Sequence, residues 1–274
     1  MNLFVSVKAC VVLAALGAAA TAAHATATTF FGNNVLALRT VSDGAGAGHD
    51  PLNQRNQFEA SLASFQTEAF NQTPGNIGSL SDIFAAGSGV TLTSTDPNIN
   101  TTSRVQNNPN PGGTPTGRFN TTGDPSVAVN TIGTSGWWET NKGTTTVQFT
   151  TAVSAFGTFI TDAGDFRGAL DVQIFNGASL LLSTSLISTG SGNVANSGAL
   201  AFFGYTNDTT KFTSVVFTVS QAAGLPVGQF DFVGFDDFIT GPLRAASIPE
   251  PSSITLAALS LGLLALARRR RTRA

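Results

Sequence analysis

The middle of the chain alternates between apolar and polar positions with a period of two. Val147 and Phe149 are interleaved with Thr146, Gln148 and Thr150, so an extended segment here has one apolar and one polar face. The same alternation, and short apolar runs bounded by Gly, Asn and Asp, predict a series of β-strands. The predicted strands are 91–95, 144–150, 155–160, 170–175, 180–186, 199–203, 212–220 and 230–239.

Turn residues separate these segments and set their arrangement. Asn176-Gly177 stands between two apolar runs, a combination typical of a tight β-hairpin. Residues 96–126 have almost no apolar side chains and are expected to form a long loop. Strands at such short spacing predict an all-β fold, namely a jelly-roll-like antiparallel β-sandwich over residues 67–246.

One helix is predicted ahead of the sandwich, in an N-terminal segment at 26–66. Phe58, Leu62 and Phe65 recur at i, i+4 and i+7. This spacing indicates a short amphipathic helix over 53–65, and its apolar face is expected to pack on the core.

The N-terminus has the pattern of a secretory signal peptide. Lys8 is followed by an apolar stretch at 9–20 and by the small-x-small sequence Ala23-His24-Ala25. We expect residues 1–25 to be removed after export, the alternative being an uncleaved anchor.

The C-terminus ends in an uncharged, Leu- and Ala-rich run at 252–267 that is followed by Arg268, Arg269, Arg270 and Arg271. A helix of this length spans roughly 24 Å, somewhat less than a bilayer core of ~30 Å, and a thinner bilayer and snorkelling arginines compensate for the difference. The arginines hold their end in the cytoplasm. We therefore predict a single transmembrane helix at 252–267, the alternative being a buried C-terminal helix.

Pro249-Glu250-Pro251, the apolar run and the basic tail at 268–274 follow one another in order. Together, residues 247–274 resemble the PEP-CTERM sorting signal of Gram-negative bacteria. In that family the tail is recognised by exosortase, a membrane-embedded transpeptidase-like enzyme. The resemblance implies an exported protein, anchored transiently in the inner membrane and destined for the outer surface or the extracellular matrix.

Composition excludes several classes of function. Residues 26–248 contain 15 acidic and 8 basic side chains, and this net charge of −7 makes nucleic acid a poor partner. The only cysteine, Cys10, lies in the signal peptide, and His49 is the only histidine after it. A disulfide, a histidine-based zinc site and Cys-His catalysis are therefore excluded in the mature chain. No G-x-S-x-G elbow occurs.

Asp236-Asp237 is the first candidate site. Simple alternation places Val233, Phe235, Asp237 and Ile239 on one strand face and Asp236 on the other, so that one carboxylate is drawn towards the core. A buried carboxylate needs a partner or a cation, and calcium prefers oxygen ligands. The alternative is that both aspartates lie in solvent or pair with Arg167.

A second resemblance supports the calcium interpretation. Segments such as TEAF at 67–70, VQFTTAVSAFGTFITDAGDF at 147–166 and FVGFDDF at 232–238 are similar to the exported domain of one group of PEP-CTERM proteins. Sequences of that group look like carbohydrate-binding β-sandwich modules, which often hold a structural calcium ion. The resemblance implies Glu68 with Asp236 or Asp237 as ligands.

Two further motifs have a functional and a structural interpretation. Asp162 and Asp165 bracket a glycine turn, where they bind a cation or cap the turn.

Trp137 and Trp138 are adjacent, so one indole is expected in the core and the other is a candidate platform for sugar stacking beside Glu139. In the alternative, both tryptophans are structural.

The sequence therefore favours a non-enzymatic structural or binding component of an exopolysaccharide or biofilm matrix, recognised by exosortase during sorting. A calcium-dependent carbohydrate-binding module is the alternative. A polysaccharide-active hydrolase is a further alternative, because Glu59, Glu68 and Glu139 supply carboxylates, although no motif selects a catalytic pair.

Overall fold

The protein is described by a computed structural model that covers residues 27–33, 50–70, 75–76, 78–95, 104–106, 136–162, 168–188, 200–221 and 232–245. In this part the chain forms one helix, α1, at Pro51–Ala60. The strands are β1 Thr28–Asn33, β2 Gln66–Glu68, β3 Gly75–Asn76, β4 Ser79–Ser81, β5 Val90–Ser94, β6 Arg104–Gln106, β7 Trp137–Thr140, β8 Gly143–Val153, β9 Ala155–Thr161, β10 Gly168–Asn176, β11 Ser179–Ser188, β12 Leu200–Thr206, β13 Phe212–Gln221 and β14 Val233–Thr240.

These strands form two antiparallel sheets. The larger, eight-stranded sheet has the order β1-β12-β9-β14-β7-β6-β3, and β2 also pairs with β14. The smaller, six-stranded sheet has the order β11-β10-β13-β8-β5-β4. The chain passes from the smaller to the larger sheet at Ser154, between the end of β8 and the start of β9.

A phenylalanine-rich core joins the two sheets. Phe217 of β13 stacks at ring-centroid distances of 6.2 Å on Phe156 of β9, 6.1 Å on Phe203 of β12 and 4.9 Å on Phe235 of β14. All four rings are buried; Phe203 meets Phe217 edge-on at 89°, whereas the pairs with Phe156 and Phe235 are tilted. Aromatic pairs at this spacing add to the free energy of burial. The sheets therefore pack face to face, as the sandwich prediction requires.

Each of the eight strands predicted from the period-two pattern is present in the structure. They correspond to β5 and to β8 to β14. The hairpin prediction is also confirmed, because Asn176 pairs with Ser179 and leaves a two-residue loop, Gly177-Ala178. Gly177 has φ +58° at the first central position, which a type II′ turn requires.

The helix begins close to its predicted start but ends five residues early. Asp50 caps it, and its Oδ1 accepts hydrogen bonds from the N–H groups of Leu52 at 2.8 Å and Asn53 at 3.4 Å. Helix α1 ends at Ala60, so the prediction that Phe65 extends its apolar face is wrong. Phe58 is buried, whereas Phe65 is 46% exposed in the connection to β2.

Helix α1 covers the outer face of the larger sheet through a second apolar cluster. The cluster contains the buried side chains Phe58, Leu62, Ala155, Phe159, Leu200, Phe202 and Ile239. Gly157 of β9 and Gly204 of β12 are cross-strand partners below the Phe58 ring. A Cβ atom would lie 2.9 Å from the Phe58 ring at Gly157 and 2.8 Å from it at Gly204. The two glycines form the notch that receives Phe58.

Some strands of the larger sheet were not predicted. Residues 28–33 supply β1, which pairs with β12, and β6 lies within the stretch 96–126 that was expected to be a loop. Strand β6 is short and polar, and β1 has two adjacent apolar residues, Phe30 and Phe31, without alternation, so only their neighbours in the sheet define them. The described elements belong to one compact unit, Ala25–Arg244.

The predicted segments at the chain ends lie outside the described residues. These are the signal peptide at 1–25 and the sorting tail at 247–274 with its apolar run at 252–267. Within the described part of the chain, no helix has the length and apolar character needed to cross a membrane.

Candidate functional site

The two aspartates of β14 lie in a β-bulge. Asp236 pairs with Phe159 of β9, but the next paired residue is Ile239, which lies opposite Gly157. Asp237 has φ +47°, a left-handed conformation that Asp tolerates better than most residues. The predicted regular alternation is therefore wrong at this point. Phe235 and Phe238 are three positions apart, yet both enter the core between the sheets.

Both carboxylates are buried, which corrects the alternative that placed them in solvent. Asp236 is 0% exposed and its Oδ1 accepts the N–H of Asp237 at 2.8 Å, while its carbonyl accepts the Thr158 hydroxyl at 3.0 Å. Asp237 is 1% exposed. The side chain and backbone contacts of Asp236 therefore hold the bulge in shape.

Arg55 of α1 is the cation next to Asp237. Its Nη1 lies 3.1 Å from Asp237 Oδ2, and its Nε lies 2.7 Å from Glu59 Oε1. The guanidinium carbon also lies 5.2 Å from the centre of the Phe159 ring. A planar guanidinium suits this position because it meets two carboxylates and a ring face at once. Arg167, the partner named by the sequence, lies outside the described residues.

Glu68 lies on β2, which pairs with the strand that carries the two aspartates, β14. It pairs with Phe238 through β2, and its Oε1 accepts the N–H of Phe70 at 2.5 Å. Glu68 is therefore one register position from Asp237, and its role as a calcium ligand stays a prediction. Even so, no group of three or more Asp, Glu, His or Cys side chains that could hold a metal ion occurs among the described residues.

This geometry leads to a prediction for calcium. Since Arg55 already neutralises Asp237, we expect the full-length protein to have the same Tm in calcium and in EDTA. A metal that contributed about 1 kcal/mol would change Tm by about 2–4 °C in a domain of this size. Differential scanning fluorimetry measures this, with magnesium as the control ion. A calcium-specific rise in Tm that Asp236→Asn abolishes would contradict the expectation.

The structure corrects the prediction of an exposed tryptophan. Trp138 is 0% exposed in the core between the sheets, with its Nε1 3.4 Å from Thr145 Oγ1, and Trp137 is 3% exposed on the other strand face. Trp137 Nε1 donates to Glu139 Oε2 at 3.2 Å. Because both indoles are buried, neither offers the open face that sugar stacking needs.

Asp162 ends strand β9 and is buried at 1% exposure, with φ +59°. Its partner in the predicted turn, Asp165, lies outside the described residues. The left-handed backbone at Asp162 agrees with the turn that the Gly-containing sequence predicts.

An open cleft of about 500 Å³ lies where three chain connections meet at one end of the sandwich. Its wall consists of Ser64, Phe65, Gln66, Ala152, Val153, Ser154, Lys211, Thr240, Gly241 and Pro242. The volume is within the range of about 300–1,000 Å³ that is typical of small-molecule sites. Phe65 and Lys211 are its exposed aromatic and charged side chains.

Sequence reasoning missed Arg55, Phe65 and Lys211. Arg55 had a local signal in its i, i+4 spacing to Glu59, but its contact with Asp237 joins residues 182 positions apart. Phe65 matched the helical period and was therefore assigned to the core. Lys211 follows the Asn207-Asp208 turn and had no neighbour in sequence to mark a site.

Comparison with known proteins identifies one segment. Residues 247–271 match the PEP-CTERM protein-sorting motif, so the expected sorting signal is confirmed. The chain is accordingly that of an exported, cell-envelope-associated protein that exosortase processes. Among curated proteins, no relative matches the chain.

Proposed function

We propose that this protein is a non-enzymatic structural or binding component of an extracellular polysaccharide matrix. The observation that carries the proposal is the PEP-CTERM protein-sorting motif at 247–271, which implies an exported, cell-envelope-associated protein. In the finer form of the proposal, the exported domain is a jelly-roll-like sandwich. It is anchored transiently in the inner membrane and then delivered to the outer surface or the matrix.

The contacts of the acidic side chains support a non-enzymatic role. A glycosidase needs two carboxyl groups about 5–10 Å apart on either side of a bound sugar. Here Glu68, Glu139 and Asp237 are buried, and their oxygens accept hydrogen bonds from Phe70, Trp137 and Arg55. The wall of the described cleft contains no carboxylate. These three carboxylates make hydrogen bonds within the folded protein, and none of them would contact a sugar bound in the cleft.

The proposal is tested by retention on the polysaccharide of the producing organism. We expect purified full-length protein to co-sediment with its own exopolysaccharide and to release no new reducing ends from it. A variant in which Pro249-Glu250-Pro251 is replaced by three alanines is the control for delivery. In cells, we expect that variant to be absent from the matrix fraction.

Two results would contradict the proposal. One is full-length protein that stays in the supernatant at every concentration of exopolysaccharide. The other is the release of reducing ends that a single Glu→Gln substitution abolishes, because that result would identify a hydrolase.

A further inference from the structure

We propose that the cleft between Phe65 and Lys211 binds an acidic saccharide, that is, a sugar ring that carries a carboxylate. The inference rests on the proposed matrix function and specifies the chemistry of the polymer that the protein recognises.

The cleft is preformed, because backbone contacts fix its walls. Ala63 N–H donates to the Pro242 carbonyl at 2.9 Å, which ties the connection after α1 to the chain after β14. At Gly241 a Cβ atom would clash with the backbone of Ser64 and Phe65, so only glycine allows this close approach. A site with fixed walls loses little conformational entropy when a ligand binds.

The opposite wall is held by the turn before β13. Asn207 N–H donates to the Ser154 carbonyl at 2.8 Å, and Asn207 Oδ1 accepts the Thr210 N–H at 2.8 Å. Thr240 Oγ1 also donates to the Ala155 carbonyl, at 2.8 Å. These bonds place Lys211 at a fixed point of the wall while its side chain extends into solvent.

Phe65 supplies an aromatic face. At 46% exposure it is one of two large apolar side chains that remain exposed in the described part, the other being Leu180 on strand β11. Among the described residues Phe65 is the one exposed phenylalanine, since eleven others are buried and five are half-buried, so an exposed ring in a concave wall is unusual here. A flat ring of this kind packs well on the C–H face of a pyranose.

Lys211 supplies the charge. Among the described residues of the wall it is the one charged side chain, and none of the carboxylates in that part of the chain lies within ion-pair distance of it. An exposed lysine with no acid among the described residues of the wall favours an anionic group on the ligand at this point. The hydroxyl and amide groups of Ser64, Gln66 and Thr240 add donors and acceptors for sugar hydroxyls.

The probes are a hexamer of galacturonate, maltohexaose as a neutral sugar and hexaglutamate as a non-sugar anion. With full-length protein in calorimetric titrations, we expect galacturonate to bind at least tenfold more tightly than either control. Phe65→Ala and Lys211→Gln are each expected to weaken galacturonate binding about tenfold, since each removes roughly one stacking or charge-assisted contact. Added salt is expected to weaken binding to the wild type and to have little effect on Lys211→Gln.

Leu180→Ala and Lys142→Gln are the matched controls, because each removes the same kind of side chain outside the cleft wall. We expect both to bind galacturonate like the wild type. Equal affinity for galacturonate and hexaglutamate, or galacturonate binding that neither cleft substitution changes, would overturn the inference.

The same variants distinguish this inference from the proposed function. Retention of wild type, Phe65→Ala and Lys211→Gln alike on the native exopolysaccharide would overturn the cleft assignment and leave the matrix function in place. Absence of retention for the wild type would overturn both.

Discussion

Replacement of Gly204 by alanine is expected to reduce the free energy of unfolding by about 1–3 kcal/mol, the usual cost of overpacking a core. The new methyl group would meet the Phe58 ring at 2.8 Å and the Phe202 ring at 3.0 Å. Neither ring can move away freely, since Phe58 also packs edge-on against Phe30 at 5.6 Å. Urea unfolding of the full-length protein, followed by tryptophan fluorescence, measures the loss as a lower midpoint.

A double-mutant cycle identifies the cause of this loss. Phe58→Ala alone is expected to cost about 3–5 kcal/mol because it empties the notch under α1. In that background Gly204→Ala should cost clearly less, since the Phe58 ring is gone and only the contact with the Phe202 ring at 3.0 Å remains. Gly177→Ala is the control, because its penalty comes from a backbone φ of +58° and open space surrounds it. An identical cost of Gly204→Ala with and without Phe58 would show that the notch is not the reason.

Removal of the Arg55 guanidinium is expected to have an effect of similar size. Arg55→Met keeps the aliphatic stem but leaves the carboxylate of Asp237, 1% exposed, without its neighbouring cation. Loss of one partner of a buried ion pair typically costs about 3–5 kcal/mol, because the remaining charge is poorly solvated. Chemical denaturation measures this loss, and we expect α1 to detach from the sheet before the sandwich unfolds.

Two variants test whether the charge of Asp237 is responsible. Glu59→Gln removes the more exposed carboxylate on the same guanidinium, and we expect a loss of less than about 1 kcal/mol. Asp237→Asn combined with Arg55→Met should recover part of the stability, because asparagine keeps the left-handed backbone and removes the charge. Equal losses for Glu59→Gln and Arg55→Met would contradict this account.

The strands could be read from the sequence because their signal is local. Val147 and Phe149 are buried while Gln148 and Thr150 are exposed, and this alternation follows from the pleat alone. The Asn176-Gly177 hairpin is local for the same reason. The end of α1 was not predictable in this way, because Phe65 continues the apolar period although the helix stops at Ala60.

The candidate site depended on contacts between distant parts of the chain. The sequence placed Asp236 and Asp237 on opposite faces of a regular strand, with one of them drawn towards the core, whereas the structure buries both in a bulge. The bulge lies where the partner of β14 on one side changes from β7 to β2, while β9 pairs with its other side. Sequence reasoning offered calcium or Arg167 as the counter-charge and did not find Arg55, which lies 182 residues before Asp237 in the chain.

By itself, the sequence determined the sorting motif at 247–271 and the succession of strands. Both depend only on residues that are close together in the sequence: the sorting motif is a contiguous segment, and the faces of a strand follow from alternating positions along a pleated backbone. The tertiary structure alone decided which side chains stay in solvent and which charges meet. Trp138 is buried because the two sheets pack on each other, and Phe65 and Lys211 share one cleft because three connections converge at one end of the sandwich.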